Sequence, residues 1–145
     1  MERLVGKYIV FGKALRTFET VIMLWETRSM HNYPPEIEQV IADSLVQRFE
    51  FTYEMMWKYF REYLRTVFGI SVVKSSRIIF KEAHSVGLLN GEELELCENM
   101  IMDRNNTSHE YDLHKSRALI QSALGYCSLM QKIHREKTPP ERDTP

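Results

Sequence analysis

The chain has 145 residues, of which 43% are hydrophobic, and its formal net charge is −1. This length and composition predict one globular domain and exclude an intrinsically disordered chain. The nearly balanced charge points to no class of partner. Residues 1–137 are expected to form the domain, and residues 138–145, which are polar and rich in proline, are expected to be a disordered tail.

The first predicted helix spans about residues 3–30, because apolar residues recur there at alternating spacings of four and three. This seam consists of Leu4, Tyr8, Phe11, Leu15, Phe18, Ile22 and Trp25. Gly6 and Gly12 lower the helix propensity, but they could let another helix approach closely. Residues 31–35 should end the helix, since they finish with two consecutive prolines.

The second predicted helix spans about residues 36–68, and Gly69 should end it. A first apolar row comprises Ile41, Leu45, Phe49, Thr52, Met56, Phe60, Tyr63 and Val67, and a second comprises Phe51, Met55, Tyr59 and Leu64. A helix with so much apolar surface should contact several neighbours. It would be about 50 Å long at 1.5 Å per residue, so part of its surface is expected to form a subunit interface.

The remainder of the chain predicts three shorter helices. The third should span residues 76–86, with Ser75 as its N-cap and Gly87 just after its end. The fourth should open at Asn90, with Glu93 completing a capping box, and should weaken at residues 105–108, which are poor helix formers. The fifth should span about residues 112–137. The pattern therefore predicts an all-α, antiparallel up-and-down bundle of four to five helices.

The weak point of the fourth helix carries the main candidate for chemistry. Arg104, His109 and Tyr111 lie close together in the sequence there. A break in the helix could bring Arg104 and His109 to one site, where His109 could transfer a proton and Arg104 could hold phosphate oxygens. The alternative is that the polar residues between them cap the last helix and that Arg104 pairs with a glutamate.

Two further features each allow two interpretations. Residues 58–81 contain six basic residues against Glu62, which is consistent with either a solvated face or a strip for a phosphate-bearing partner. Residues 49–60 are rich in aromatic side chains. Tyr53, Met55 and Trp57 among them could either line a nucleotide pocket or belong to the core.

Metal and DNA sites are not supported by the sequence. No histidine follows a glutamate by three residues, as in di-iron bundles, and there is no paired-cysteine motif. We therefore predict no metal and no cofactor. Residues 76–102 resemble a helix-turn-helix in outline, but glutamates on the second helix would repel phosphate.

The protein is also expected to be soluble and cytoplasmic. Charged residues interrupt the N-terminal stretch where a signal peptide would be apolar, and no apolar run approaches the roughly 18 residues of a membrane helix. Cys97 and Cys127 lie in apolar helical stretches, which is typical of buried thiols in a reducing compartment.

Two blocks of the sequence resemble a known family. The first comprises residues 47–54 (Gln-Arg-Phe-Glu-Phe-Thr-Tyr-Glu) and the following Trp57-Lys58 pair. The second is the pattern of Arg104, Asn105, His109 and Tyr111. Together they resemble the nucleotidyltransferase substrate-binding proteins, a branch of the HEPN superfamily close to HepT-type toxins.

This resemblance implies a helical bundle that forms a homodimer and carries a metal-independent endoribonuclease site. His109 would be the general acid or base, Arg104 would stabilise the transition state, and Asn105 would fill the polar position after the arginine. A minimal nucleotidyltransferase would be the partner and would silence the toxin by transferring AMP to Tyr111.

The alternative within the same family is a non-catalytic subunit that binds nucleotide or substrate for a two-component nucleotidyltransferase. Candidate ligands are thus RNA or a nucleotide. The first block places candidate nucleotide- or partner-binding positions at Glu50, Tyr53, Trp57 and Lys58.

Overall fold

The computed structural model describes residues 1–71, 75–107 and 113–141 of the chain. Within these ranges it consists of helices and connecting turns, with no strand. The helices are α1 (Glu2–Glu26), α2 (Pro35–Phe68), α3 (Ser76–Ser85), α4 (Gly91–Thr107) and α5 (Leu113–Glu136), with a 3₁₀ turn at Arg28–Met30. The predicted all-α bundle is therefore confirmed.

Helices α1 and α2 form an antiparallel pair. The Thr52 hydroxyl lies 3.2 Å from the Ala14 carbonyl oxygen, and the rings of Phe18 and Phe49 are 6.1 Å apart. Five of the seven predicted seam residues of α1 are buried, and Tyr8 and Trp25 are partly buried. The heptad spacing therefore identified the face of α1 that packs.

Helix α5 packs against both members of this pair. The Tyr126 ring stacks on Phe49 with centroids 5.5 Å apart, and the Tyr59 hydroxyl donates a hydrogen bond to the Lys137 carbonyl oxygen. The residue numbers increase on both helices from the first contact to the second, so α2 and α5 run in the same direction. The predicted burial of Cys97 and Cys127 is confirmed, and this burial raises the pKa of each thiol to about 12.

The helix ends follow the predicted chemistry in most places. Pro35 opens α2, Gly69 ends it with a φ of 68°, and Gly87 follows α3 with a φ of 85°. Asn90 and Glu93 form the expected capping box, with reciprocal hydrogen bonds of 2.8 Å. Helix α1 ends earlier than predicted, at Glu26, before the separate 3₁₀ turn.

Two details add to the predicted pattern. Ser75 is the N-cap residue of α3, as predicted, but its side chain makes no capping hydrogen bond, and its φ is 97°. Phe51 and Val67 belong to the apolar rows of α2, and they are 46% and 38% exposed. The spacing of apolar residues identifies faces of a helix, but it does not show which faces a neighbour will cover.

Helices α3 and α4 pack on the outer side of α2. α3 begins beside Tyr53 and advances toward Phe60, whose ring lies 6.2 Å from that of Phe80. α4 extends through Asn105 to Thr107, so the expected weakening at residue 105 does not end the helix there. None of the helices in the described ranges is long and apolar enough to span a membrane.

Candidate functional site

An open groove of about 550 Å³ lies where α2, the start of α3 and the end of α4 meet. It is lined by Tyr53, Glu54, Trp57, Ser75, Ser76, Arg77, Ile101, Arg104 and Asn105. The groove thus combines aromatic, cationic and hydroxyl-bearing side chains from three helices.

The α2 wall of the groove is built by Tyr53 and Trp57, which are one helical turn apart and therefore share a face. Tyr53 is only 3% exposed, and its hydroxyl shares a 2.6 Å hydrogen bond with the Ser76 hydroxyl. Burial raises the pKa of Tyr53, although the Ser76 bond and the positive charge of Arg104 oppose that shift. Tyr53 therefore stays neutral and fixes the start of α3 against α2.

The α4 wall is built by Ile101, Arg104 and Asn105, whose spacing of three and four places them on one helical face. The neighbouring Asp103 accepts a hydrogen bond from the Tyr126 hydroxyl on α5. Because Tyr126 is itself 3% exposed, this bond anchors the last turns of α4 to the core. Arg104 and Asn105 are thus held on a fixed part of the scaffold.

Cations surround the aromatic wall. Lys58 and Arg61 lie over the Trp57 ring, at 5.7 Å and 5.1 Å from its centroid. Arg77 lines the groove on the α3 side. Glu54 opposes these charges, and one of its carboxylate oxygens lies 3.9 Å from the Lys58 ammonium. Among the lining residues, Arg77 and Arg104 stand against Glu54, and Arg61 and Lys58 lie beside them over Trp57, so the local field favours an anion.

The structure brings together four of the residues singled out from the sequence. Tyr53 and Trp57 from the first block and Arg104 and Asn105 from the second line the same groove. Glu50 and Lys58 do not line it, although Lys58 reaches over Trp57. The aromatic run divides as well, since Phe49, Met56, Tyr59 and Phe60 belong to the core while Trp57 faces the groove.

Other lining residues were not singled out as site residues. Ser76 was predicted only as the start of a helix, and Ile101 was predicted only to lie within the fourth helix. Arg77 belonged to the basic strip of residues 58–81, and that charge pattern was the available signal for it. His109 and Tyr111, the remaining predicted site residues, lie outside the described residues.

The described ranges hold no cluster of three or more His, Cys, Asp or Glu side chains that could bind a metal ion. Of the histidines within them, His84 uses its Nδ1 atom in a 2.9 Å hydrogen bond with the Leu89 carbonyl oxygen. His134 lies on α5 and packs against α1, where it stacks on Tyr8. These two histidines therefore serve structural contacts.

A second groove, of about 630 Å³, lies between the end of α1, the start of α2 and α5. Its wall contains Trp25, over whose ring the Arg28 guanidinium lies at 3.7 Å from the centroid. Glu26, Glu38 and Asp43 also line it. An aromatic ring with a stacked arginine thus occurs in both grooves, but the acidic lining is heavier in the second.

The sequence profile of a family described as nucleotidyltransferase substrate binding protein like matches residues 7–138. The chain belongs to this family. The resemblance stated from the two sequence blocks is thereby confirmed at the family level, and the matched residues include every residue that lines the first groove.

A solved structure is similar to this member of the nucleotidyltransferase substrate-binding family over most of its length. The crystal structure of a protein from Thermus thermophilus superposes with a TM-score of 0.72 and 32% sequence identity. The match covers 85% of this chain and 94% of the other. A comparison with curated proteins gave no match.

Proposed function

We propose that the protein is a dimeric, metal-independent endoribonuclease that is paired with a minimal nucleotidyltransferase and silenced by AMP transfer to Tyr111. One observation carries the proposal. The two sequence blocks, which are far apart in the chain, contribute Tyr53, Trp57, Arg104 and Asn105 to one cationic groove. The family description, which names a nucleotidyltransferase, supports the choice of partner.

The chemistry assigned to the site is transesterification within RNA. The ribose 2′-oxygen attacks the adjacent phosphorus and the bond to the 5′-oxygen breaks, which leaves a 2′,3′-cyclic phosphate and a free 5′-hydroxyl. His109 takes the 2′-hydroxyl proton or delivers a proton to the leaving oxygen, and the dimer supplies a second copy for the other step. Arg104 stabilises the charge that develops on the phosphoryl oxygens.

AMP transfer to Tyr111 would switch this activity off by simple physical means. Tyr111 lies two residues after His109 in the sequence. A bulky, negatively charged nucleotide on its oxygen would occupy the space that the RNA needs and would repel the RNA phosphates.

A second candidate function is that of a binding subunit that presents nucleotide or substrate to the nucleotidyltransferase. The observation that favours it is the aromatic wall of Tyr53 and Trp57 within a cationic groove, because such a surface can hold a nucleotide without any reaction. The two functions differ in whether His109 performs chemistry.

The experiment that separates them is RNA cleavage in EDTA by purified protein free of AMP. The ribonuclease function predicts that wild type cleaves a mixed RNA substrate and that His109→Ala does not. His31→Ala is the matched control, since His31 is exposed and belongs to the turn between α1 and α2, and it should cleave like wild type. Absence of cleavage by the folded wild-type dimer would favour the binding subunit.

The partner is tested separately by incubating wild type and Tyr111→Phe with the nucleotidyltransferase and ATP. Intact-mass spectrometry should show an added AMP on wild type alone, with loss of cleavage. Equal modification of Tyr111→Phe would reject Tyr111 as the acceptor.

A further inference from the structure

We propose that the first groove is a subsite for single-stranded RNA, in which a base stacks on Trp57 while Arg77 and Arg61 bind flanking phosphates. The proposal rests on the ribonuclease function for its substrate class, and it names the residues that hold the strand beside the motif. It selects Arg61 and Arg77 from the basic strip of residues 58–81.

The aromatic wall supplies the surface for a base. Trp57 is half-buried, lines the groove, and is held on α2 next to the buried Tyr53. The part of the indole ring that lines the groove offers a flat surface on which a base can stack, which gives binding with little dependence on sequence. Its position on a helix packed into the core holds the Trp57 backbone in place before a ligand arrives.

The cations supply the partners for phosphate. Arg77 lines the groove, and Lys58 and Arg61 lie over the Trp57 ring. Guanidinium groups bind phosphate oxygens in bidentate fashion, so Arg77 and Arg61 are suited to phosphates on either side of a stacked base. Glu54 reduces the positive charge, but the lining still carries two arginines, Arg77 and Arg104, against this one carboxylate.

The extent of the charge favours a strand over a free nucleotide. The groove, at about 550 Å³, has the size of a small-ligand site. The cations continue beyond its lining, since Lys58 and Arg61 lie outside the set of lining residues. A mononucleotide bound in the groove would place no phosphate near these outer cations. A strand would extend beyond the groove and bring further phosphates to them.

The position of the groove relative to the motif places the subsite next to the reacting phosphate. Arg104 and Asn105 form the α4 side of the same groove that Trp57 and Arg77 border. A phosphate held at Arg104 would therefore have its neighbouring nucleotide beside Trp57. The subsite would thus hold the nucleotide adjacent to the bond that is cut.

The test measures RNA binding in His109→Ala protein, so that binding is separated from cleavage. The probe is a fluorescently labelled eight-nucleotide single-stranded RNA, with anisotropy as the readout. Trp57→Leu and Arg77→Ala should each weaken binding about tenfold or more, and Trp57→Phe should retain most of the affinity because it keeps a flat ring.

The second groove provides matched controls. Trp25→Leu and Arg28→Ala remove an equivalent pair of an aromatic ring and a stacked arginine, and they should leave the RNA affinity within about twofold. In a Trp25→Phe background Trp57 is the single tryptophan, so its fluorescence should be quenched by RNA. Thermal unfolding of every variant checks that the bundle is intact.

Unchanged RNA affinity in folded Trp57→Leu and Arg77→Ala proteins would overturn the subsite. If ATP or AMP bound as tightly as the oligonucleotide, the proposal of a strand-binding subsite would be rejected in favour of a mononucleotide site. If the Trp57→Leu substitution in a protein with His109 intact left the rate of RNA cleavage unchanged, the subsite would be rejected and the ribonuclease function would stand. Binding that depends on Trp57, without any cleavage by wild type, would reject the ribonuclease while the subsite stands.

Discussion

The imidazole of His134 lies directly against the backbone of Gly12. A Cβ atom at Gly12 would lie 2.6 Å from His134 Nε2. The imidazole is confined, because it stacks on Tyr8 with centroids 4.1 Å apart and packs edge-to-face with Phe11 with centroids 5.3 Å apart. The close approach of α5 to α1 therefore depends on the glycine, as the sequence suggested for Gly12, whereas a Cβ at Gly6 would meet nothing within 4 Å.

Gly12→Ala should consequently destabilise the protein. Alanine is the better helix former by about 1 kcal/mol, but overpacking against a confined ring typically costs about 1–3 kcal/mol. Chemical denaturation should show a net loss for Gly12→Ala. Gly6→Ala is the matched control and should be neutral or stabilising by up to about 1 kcal/mol. Equal stability of the two variants would contradict the tight contact.

His134 should also make the stability of the fold depend on pH. Burial lowers the pKa of His134, and the positive charge of Arg16 lowers it further, while the Tyr8 contact and Glu19 oppose the shift. Because the folded pKa lies below the unfolded one, the unfolded state binds the proton first. The contribution of His134 is thus present above about pH 6.5 and is lost as the pH falls through the lowered pKa.

Denaturation of wild type and His134→Gln between pH 5 and 7.5 tests this dependence. Wild type should lose more of its unfolding free energy on acidification than His134→Gln does. His31→Gln, at an exposed histidine, should retain the wild-type slope. Parallel curves for wild type and His134→Gln would show that His134 is not the acid-sensitive group.

The start of α4 should be sensitive to its capping box. Asn90→Ala removes the side-chain acceptor for the Glu93 amide and should cost about 1 kcal/mol. Glu93→Gln should cost less, because glutamine can still bond back to the Asn90 amide and only the 3.1 Å pair with Lys132 is weakened. Thermal unfolding can rank the two. A larger loss for Glu93→Gln would mean that the ion pair outweighs the cap.

The end of α4 should depend on the bond between Tyr126 and Asp103. Tyr126→Phe keeps the ring that stacks on Phe49 but leaves the Asp103 carboxylate without its donor, which typically costs about 1–3 kcal/mol. The proposed ribonuclease function also predicts weaker RNA cleavage by Tyr126→Phe, since Arg104 follows Asp103 directly. Tyr63→Phe is a suitable control at a partly buried ring and should be nearly neutral in stability and cleavage. A Tyr126→Phe protein with wild-type stability would show that α4 is fixed by other contacts.

The helices could be predicted from the sequence because their causes are local. The alternating spacing on α1, the proline pair before α2, and Gly69 and Gly87 at positive φ all act within a few residues. The exposure of Phe51 and Val67 could not be predicted, because it depends on where other helices pack, which no local spacing encodes.

The groove could be predicted only in part. The residues of each block are close in sequence, but the meeting of Tyr53 with Arg104 is produced by the packing of α4 beside α2. The contribution of α3, through Ser76 and Arg77, depends on the same packing. His109 and Tyr111 lie outside the described residues, so their roles stay predictions.

The length of α2 has a consequence for how the groove can respond to a ligand. One continuous helix carries Phe49 and Tyr59 in the core and Trp57 on the groove wall. Moving the backbone of Trp57 away would rotate the buried residues of the same helix, so the backbone of this wall has little freedom once the core has folded. Recognition at this wall should therefore resemble the fitting of a strand to a preformed surface rather than the closing of a loop over it.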